Sequence, residues 1–175
     1  MIRNGLTLTM VFLAESANYG EGVGNITTLK KLSRGTYEQY SYISRQALRY
    51  NIIQQLGWDT TPVDGKSGVV QFAPTANIKD YPEIDFFGYM KTSAKGEDKK
   101  GGADTRSAVV RLSNAVSLEP YQSDLEFLTN IGLARRQDLD NAIAQREIQK
   151  SFYSYTITID LDRIGVDLSL IHISE

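Results

Sequence analysis

The chain has 175 residues, 41% of them hydrophobic and 23% charged, with one histidine, no cysteine and a net charge of −2. That length suits one domain with a real core, and no run of about 18 apolar residues marks a membrane span. The missing cysteines exclude disulfides, thiolate catalysis and zinc–cysteine sites and fit a reducing, cytoplasmic setting, while the single histidine, His172, rules out a multi-histidine metal centre and argues against a Ser-His-Asp triad.

The charge is unevenly spread. Residues 1–111 carry 14 Lys and Arg against 11 Asp and Glu, and residues 112–175 carry 5 against 10. Within 30–49, Lys30, Lys31, Arg34, Arg45 and Arg49 stand against one acid, Glu38. Salt screens charges beyond roughly 8 Å, so such a patch can hold a polyanion on an acidic protein. An ordinary solvated face has the same composition.

Residues 5–14 alternate, with Leu6, Leu8, Met10, Phe12 and Ala14 on one side and Thr7, Thr9, Val11 and Leu13 on the other, which predicts a strand with at least one fully buried face. The first 15 residues thus read as strand and not as a signal peptide. Gly20, Gly22 and Gly24 follow in a G-x-G-x-G spacing, which is not the dinucleotide fingerprint and has no helix directly after it; it reads as a flexible turn. Residues 44–56 predict the clearest helix, with Ser44 as N-cap, Gly57 at the C-terminal end, and Leu48, Ile52 and Leu56 in one stripe beside Ile53. Arg45 and Arg49 fall on that same stripe. Either the helix leaves the core at its start and exposes both guanidinium groups, or their stems lie along the core edge with the heads in solvent.

Residues 91–106 lack apolar periodicity and read as a mobile loop, with a strand-like stretch at 107–112 after it. Residues 119–150 are mixed and too long for an ordinary connection, hence a protruding insertion. Residues 152–161 alternate again, Tyr153, Tyr155, Ile157, Ile159 and Leu161 sharing one face. Asp160 and Asp162, two apart on that strand with Asp167 nearby, have the oxygen chemistry of a Mg²⁺ site, but aspartates at a strand end commonly cap a turn. No nucleophile has an identifiable base, so nothing supports an enzyme, and no cofactor is implied.

Four blocks in order carry a resemblance: YISRQALR at 42–49, DFFGYM at 85–90, RSAVVRLSNAVSLEPY at 106–121, and FYSY at 152–155 running into IDLDRIG at 159–165. Over residues 2–167 the chain resembles the CRISPR-associated DevR autoregulator family, the repeated backbone subunits of type I, especially I-B, Cascade. The resemblance implies an α+β fold, a modified ferredoxin-like (RRM-like) palm with inserted loops and a thumb at about 118–149. It further implies that copies assemble head to tail along the CRISPR RNA, beside other Cascade subunits, gripping its backbone and leaving bases open to pair with target DNA. By position, Ser44, Arg45, Gln46 and Arg49 resemble the backbone-gripping helix start, with Lys30, Lys31 and Arg34 extending the track. Phe127, Leu128 and Asn130 are candidates for the thumb's wedge against a displaced nucleotide, and the 91–106 loop, ending at Arg106, resembles a loop facing nucleic acid. The family continues beyond this chain's end, and residues 168–175 do not match that continuation, so the chain reads as ending before the last palm elements. A DNA-binding autoregulator and a structural domain without an RNA role remain the alternatives.

Overall fold

The computed structural model describes residues 4–65, 68–92 and 103–167. The elements in chain order are β1 (Gly5–Glu15), β2 (Tyr19–Val23), β3 (Ile26–Leu29), β4 (Lys31–Arg34), β5 (Glu38–Ile43), α1 (Arg45–Leu56), β6 (Val63–Asp64), β7 (Gln71–Phe72) and α2 (Pro82–Phe87). They continue with β8 (Tyr89–Thr92), β9 (Ala103–Arg106), β10 (Val110–Leu112), β11 (Ala115–Ser117), β12 (Asp124–Thr129), α3 (Ile131–Ala134), β13 (Ile143–Ile148) and β14 (Lys150–Asp160), then a 3₁₀ turn at Leu161–Arg163. The fold is α+β, dominated by strands. Two compact units are distinguished, one of residues 1–8, 49–112 and 157–175, the other of residues 9–48 and 113–156, with three boundaries falling inside β1, α1 and β14 and the fourth between β10 and β11.

The second unit holds two sheets. In the first, the order is β1-β14-β11-β5-β4, and its core is Ile43, Ala115 and Tyr153, against which Phe12, Ala14, Ala47, Leu48 and Tyr155 pack. Tyr153 is 1% exposed, stacks on Phe12 at 6.1 Å between ring centroids, and shares a 2.7 Å hydrogen bond with the Ser41 hydroxyl. A buried phenol keeps its large apolar area only because that hydroxyl partner is present. β1 does not have the fully buried face its alternation predicts: Met10, Phe12 and Ala14 are half-buried, and Leu6 and Leu8 are exposed. As the end strand of the sheet it has one neighbour, β14, to cover it.

The second sheet runs β12-β13-β3-β2. The glycine-spaced segment is therefore not a loose turn but a hairpin, with Val23 opposite Ile26 and Gly24 at φ 63° in its two-residue connection, a position where glycine avoids the left-handed penalty. The 119–150 stretch forms the other hairpin, Asp124 opposite Ile148 through Thr129 opposite Ile143, and β13 pairs in parallel with β3. Glu147 on β13 then reaches across the one-residue break between β3 and β4. It accepts the Leu29 amide at 2.7 Å and both of its oxygens accept from Lys31 Nζ, at 2.7 and 2.8 Å.

The first unit contains the remainder of α1, the two-stranded sheets β6-β7 and β8-β9, and β10 paired with the end of β14. Helix α1 closes as its sequence predicts: Gly57 has φ 66°, its amide donates to the Gln54 carbonyl and the Trp58 amide to that of Ile53, the paired bonds of a glycine C-cap. The predicted stripe is less buried than expected, with Leu48 and Ile52 half-buried and Leu56 exposed, and the buried residue of the helix is Ile53 beside it. Gly88 ends α2 at φ 72°, and a Cβ there would overlap the Arg106 carbonyl oxygen and the Ala108 amide.

Burial pushes the Glu147 carboxyl up, but the Lys31 ammonium and the Leu29 amide together outweigh it and hold the group below the usual carboxylate range. Its stabilisation is therefore present above the unfolded value of about 4.3 and is lost as pH falls through the lower folded value. Glu147→Gln should cost about 2 kcal/mol at neutral pH, less than a fully buried pair because Lys31 keeps solvent contact. The gap between the two chains in urea melts should shrink as pH is lowered below about 4.

Candidate nucleic-acid interface

Lys30, Tyr42, Ser44, Arg45, Gln46 and Asn114 line one open cleft of about 560 Å³ within the second unit. None of the six is acidic. Four of them, Lys30, Ser44, Arg45 and Gln46, are positions that the sequence points to; Tyr42 and Asn114 are not. A second cleft, of about 590 Å³, shares Lys30 and Tyr42 and adds Gly20, Glu21, Thr28 and Lys31.

Each wall has a local cause. Lys30 occupies the break between β3 and β4, where its amide donates to the Asn18 carbonyl at 3.0 Å and its carbonyl accepts from the Tyr42 amide at 2.9 Å. Ser44 caps α1, its hydroxyl accepting from the Ala47 amide at 3.2 Å. The amides of Ser44 and Arg45 are taken by two side-chain oxygens, Asn18 Oδ1 at 3.0 Å and Asn114 Oδ1 at 2.8 Å. With those first amides occupied, an anion in the cleft meets side chains: the guanidinium of Arg45 and the ammonium of Lys30, neither of which forms an ion pair among the described residues. Arg45 and Gln46 are exposed.

A family model described as CRISPR-associated negative auto-regulator DevR/Csa2 matches residues 6–172. The chain belongs to the DevR/Csa2 family. The match extends past residue 167, where the resemblance read from the sequence ends. The CRISPR-associated protein Cas7/Cst2/DevR of Myxococcus xanthus (strain DK1622) is 29% identical over 128 residues, covering 63% of this chain and 40% of that one, so the chain spans less than half the length of this curated relative.

The other positions singled out by the DevR resemblance do not line the first cleft. Lys31 is bound to Glu147 and sits over the Tyr121 ring at 4.5 Å. Burial, and after it the Glu147 charge, pushes the Tyr121 hydroxyl up to about 12. Arg34 is exposed on β4 and lies over the Tyr40 ring at 5.7 Å. Arg49 belongs to the first unit, paired with Glu83 at 3.4 Å and over the Phe87 ring at 5.0 Å. Two arginines four apart on one helix thus have different surroundings.

Arg106 is 7% exposed and its partner Asp85 6%. Besides that ion pair, its guanidinium donates to the carbonyls of Asp85, Val166 and Arg163, and Asp85 accepts the Gly165 amide at 2.9 Å. This arginine ties α2 to the chain after β14, a role that sequence shows only as the Asp of DFFGYM and the Arg that opens the next block. The stretch read as a mobile loop, residues 91–106, is strand at both ends, where Lys91 pairs with Asp104 and Thr92 with Ala103 between β8 and β9; residues 93–102 lie outside the described residues. Lys91, at the loop's start, has its ammonium buried against the Ala76 carbonyl and the Tyr89 ring.

In the β12–β13 hairpin, Phe127 and Leu128 are both exposed, yet as neighbours on one strand they face opposite ways. Asn130 closes the hairpin, its Oδ1 accepting from the Ala142 amide at 2.8 Å. Asp160 is held in a two-bond fork by Arg111, both at 2.8 Å, and Asp162 accepts from the Asn4 amide and side chain. Arg111, and Arg163 after it, keep the Asp160 carboxyl below its ordinary range. No cluster of three metal-ligating side chains occurs among the described residues, and no described helix is long and apolar enough to cross a membrane.

These surroundings separate the three arginines by stability. Arg106→Gln should cost about 3 kcal/mol or more, as for a broken buried pair. Arg49→Gln should cost about 1 kcal/mol, and Arg45→Gln should stay within about 0.5 kcal/mol. Urea melts of the three variants beside the parent chain check the order.

Proposed function

We propose that this DevR/Csa2 member binds the sugar-phosphate backbone of a CRISPR RNA through the Lys30–Arg45 cleft, as a non-catalytic backbone subunit of a type I Cascade. The observation that carries the reading is the convergence of two cations without acidic partners, a hydroxyl, two amide side chains and an aromatic ring in one cleft free of acids. Cations meet phosphates, while Ser44 and Gln46 offer neutral hydrogen bonds to phosphate or ribose. Tyr42 gives a face on which a base or sugar can stack. None of these contacts reads base edges, so the bases stay available for pairing with target DNA.

On this reading, β1, α1, β10–β11 and β14 are the β-α-β-β portion of a ferredoxin-like palm, and the β12–β13 hairpin is the thumb, with Phe127 or Leu128 as wedge according to the face it presents. Copies assemble head to tail along the RNA, as an open heterologous contact allows, with other Cascade subunits at the ends. Arg34 lies on the same track, and Lys31 serves it indirectly.

Salt dependence tests the cleft. Affinity for single-stranded RNA should fall with salt, and Lys30→Gln with Arg45→Gln should flatten the log–log slope by about 1.4, or 0.7 for each phosphate no longer neutralised. Arg49→Gln should leave the slope unchanged. A slope unaltered by the double change would remove the cleft from the RNA path, and a preference for duplex DNA over RNA would favour the autoregulator reading.

A further inference from the structure

We propose that Asn18 and Asn114 are positioning residues that hold the cleft in shape with neutral oxygens because an anion occupies the space beside them; the inference rests on the RNA-binding reading above. Asn18 satisfies two amides that no ladder serves: its backbone oxygen takes that of Lys30 and its Oδ1 that of Ser44. Lys30 and the start of α1 are thereby fixed to the same residue. Asn114, in the gap between β10 and β11, takes the next amide, that of Arg45. Gly20 supports the same lysine, since a Cβ there would press on Lys30 Cγ at 3.2 Å.

The choice of amide is the telling part. At the start of a helix an aspartate accepts an N–H more strongly than an asparagine and also complements the helix dipole. Helix energetics alone would favour Asp at both clamp positions and an acid in the first turn. Instead both clamps are Asn, and the first turn of α1 has no acid. An Asp would leave the hydrogen bonds in place and set a negative charge against the phosphate that Lys30 and Arg45 hold. The cleft is therefore kept free of acids at some loss of helix stability.

Asn18→Asp and Asn114→Asp make stability and affinity move in opposite directions. In the full 175-residue chain, each variant should melt at or above the parent temperature. Each should bind a short fluorescein-labelled oligouridylate roughly tenfold more weakly at low salt, one like charge at close range, with the gap closing as salt is added. Gln55→Glu, the same charge change on an exposed position at the other end of α1, should bind like the parent. Aspartate variants that bind as tightly as the parent would overturn the proposal. So would variants whose weaker binding tracks a lower melting temperature, because the asparagines would then be structural only. A parent chain that binds no oligouridylate at all would instead overturn the RNA reading, and this inference with it.

Discussion

One carboxylate decides what the adjacent lysines at 30 and 31 do. In an extended chain neighbouring side chains point to opposite sides, so a lysine doublet always offers one to each face. Glu147 claims the inner one. By gripping the Leu29 amide and the Lys31 ammonium together, it anchors the chain on both sides of Lys30. With Asn18 and Tyr42 holding its backbone, Lys30 becomes a cation of the cleft wall rather than another member of a buried pair. The β12–β13 hairpin, which carries Glu147, is thus part of the cleft's foundation.

The cationic patch between residues 30 and 49 has the same arithmetic whether its members bind a ligand or each other, and only the partners separate the cases. Lys31 goes to Glu147 and Arg49 to Glu83, both acids far away in sequence. Lys30, Arg34 and Arg45 form no ion pair among the described residues. Arg106 shows the extreme: a guanidinium with almost no exposure cannot meet a solvated polymer, and its donors are spent on one carboxylate and three carbonyls.

Local signals in the sequence are faithful where the physics is local. Ser44 and Gly57 mark α1 because capping is settled within a few residues, and the alternation of β1 and β14 marks strands even though β1's edge position leaves it less buried than its pattern suggests. The β2–β3 hairpin escapes such reading because glycine spacing gives no alternation, and its strands are secured by β13, more than a hundred residues later. Asp160 and Asp162 look like a metal pair from spacing alone; Arg111 and Asn4, distant in sequence, explain them as ties at the end of a strand. Tyr42 and Asn114 lie inside the family-like blocks yet carry no charge, so a search guided by charge passes over them.

The separations in sequence also order events in time. Leu29 and Lys31 find their common partner 118 and 116 residues later, and the Arg45 amide finds Asn114 69 residues later. A chain emerging from the ribosome therefore displays its full basic stretch, Lys31 included, well before Glu147 is made. Until that residue arrives the stretch is an unshaped polycation, able to attract any nucleic acid nearby through charge alone. Completion of the hairpin neutralises one lysine and fixes the other, so the cleft takes its shape late in synthesis, as long-range contacts close.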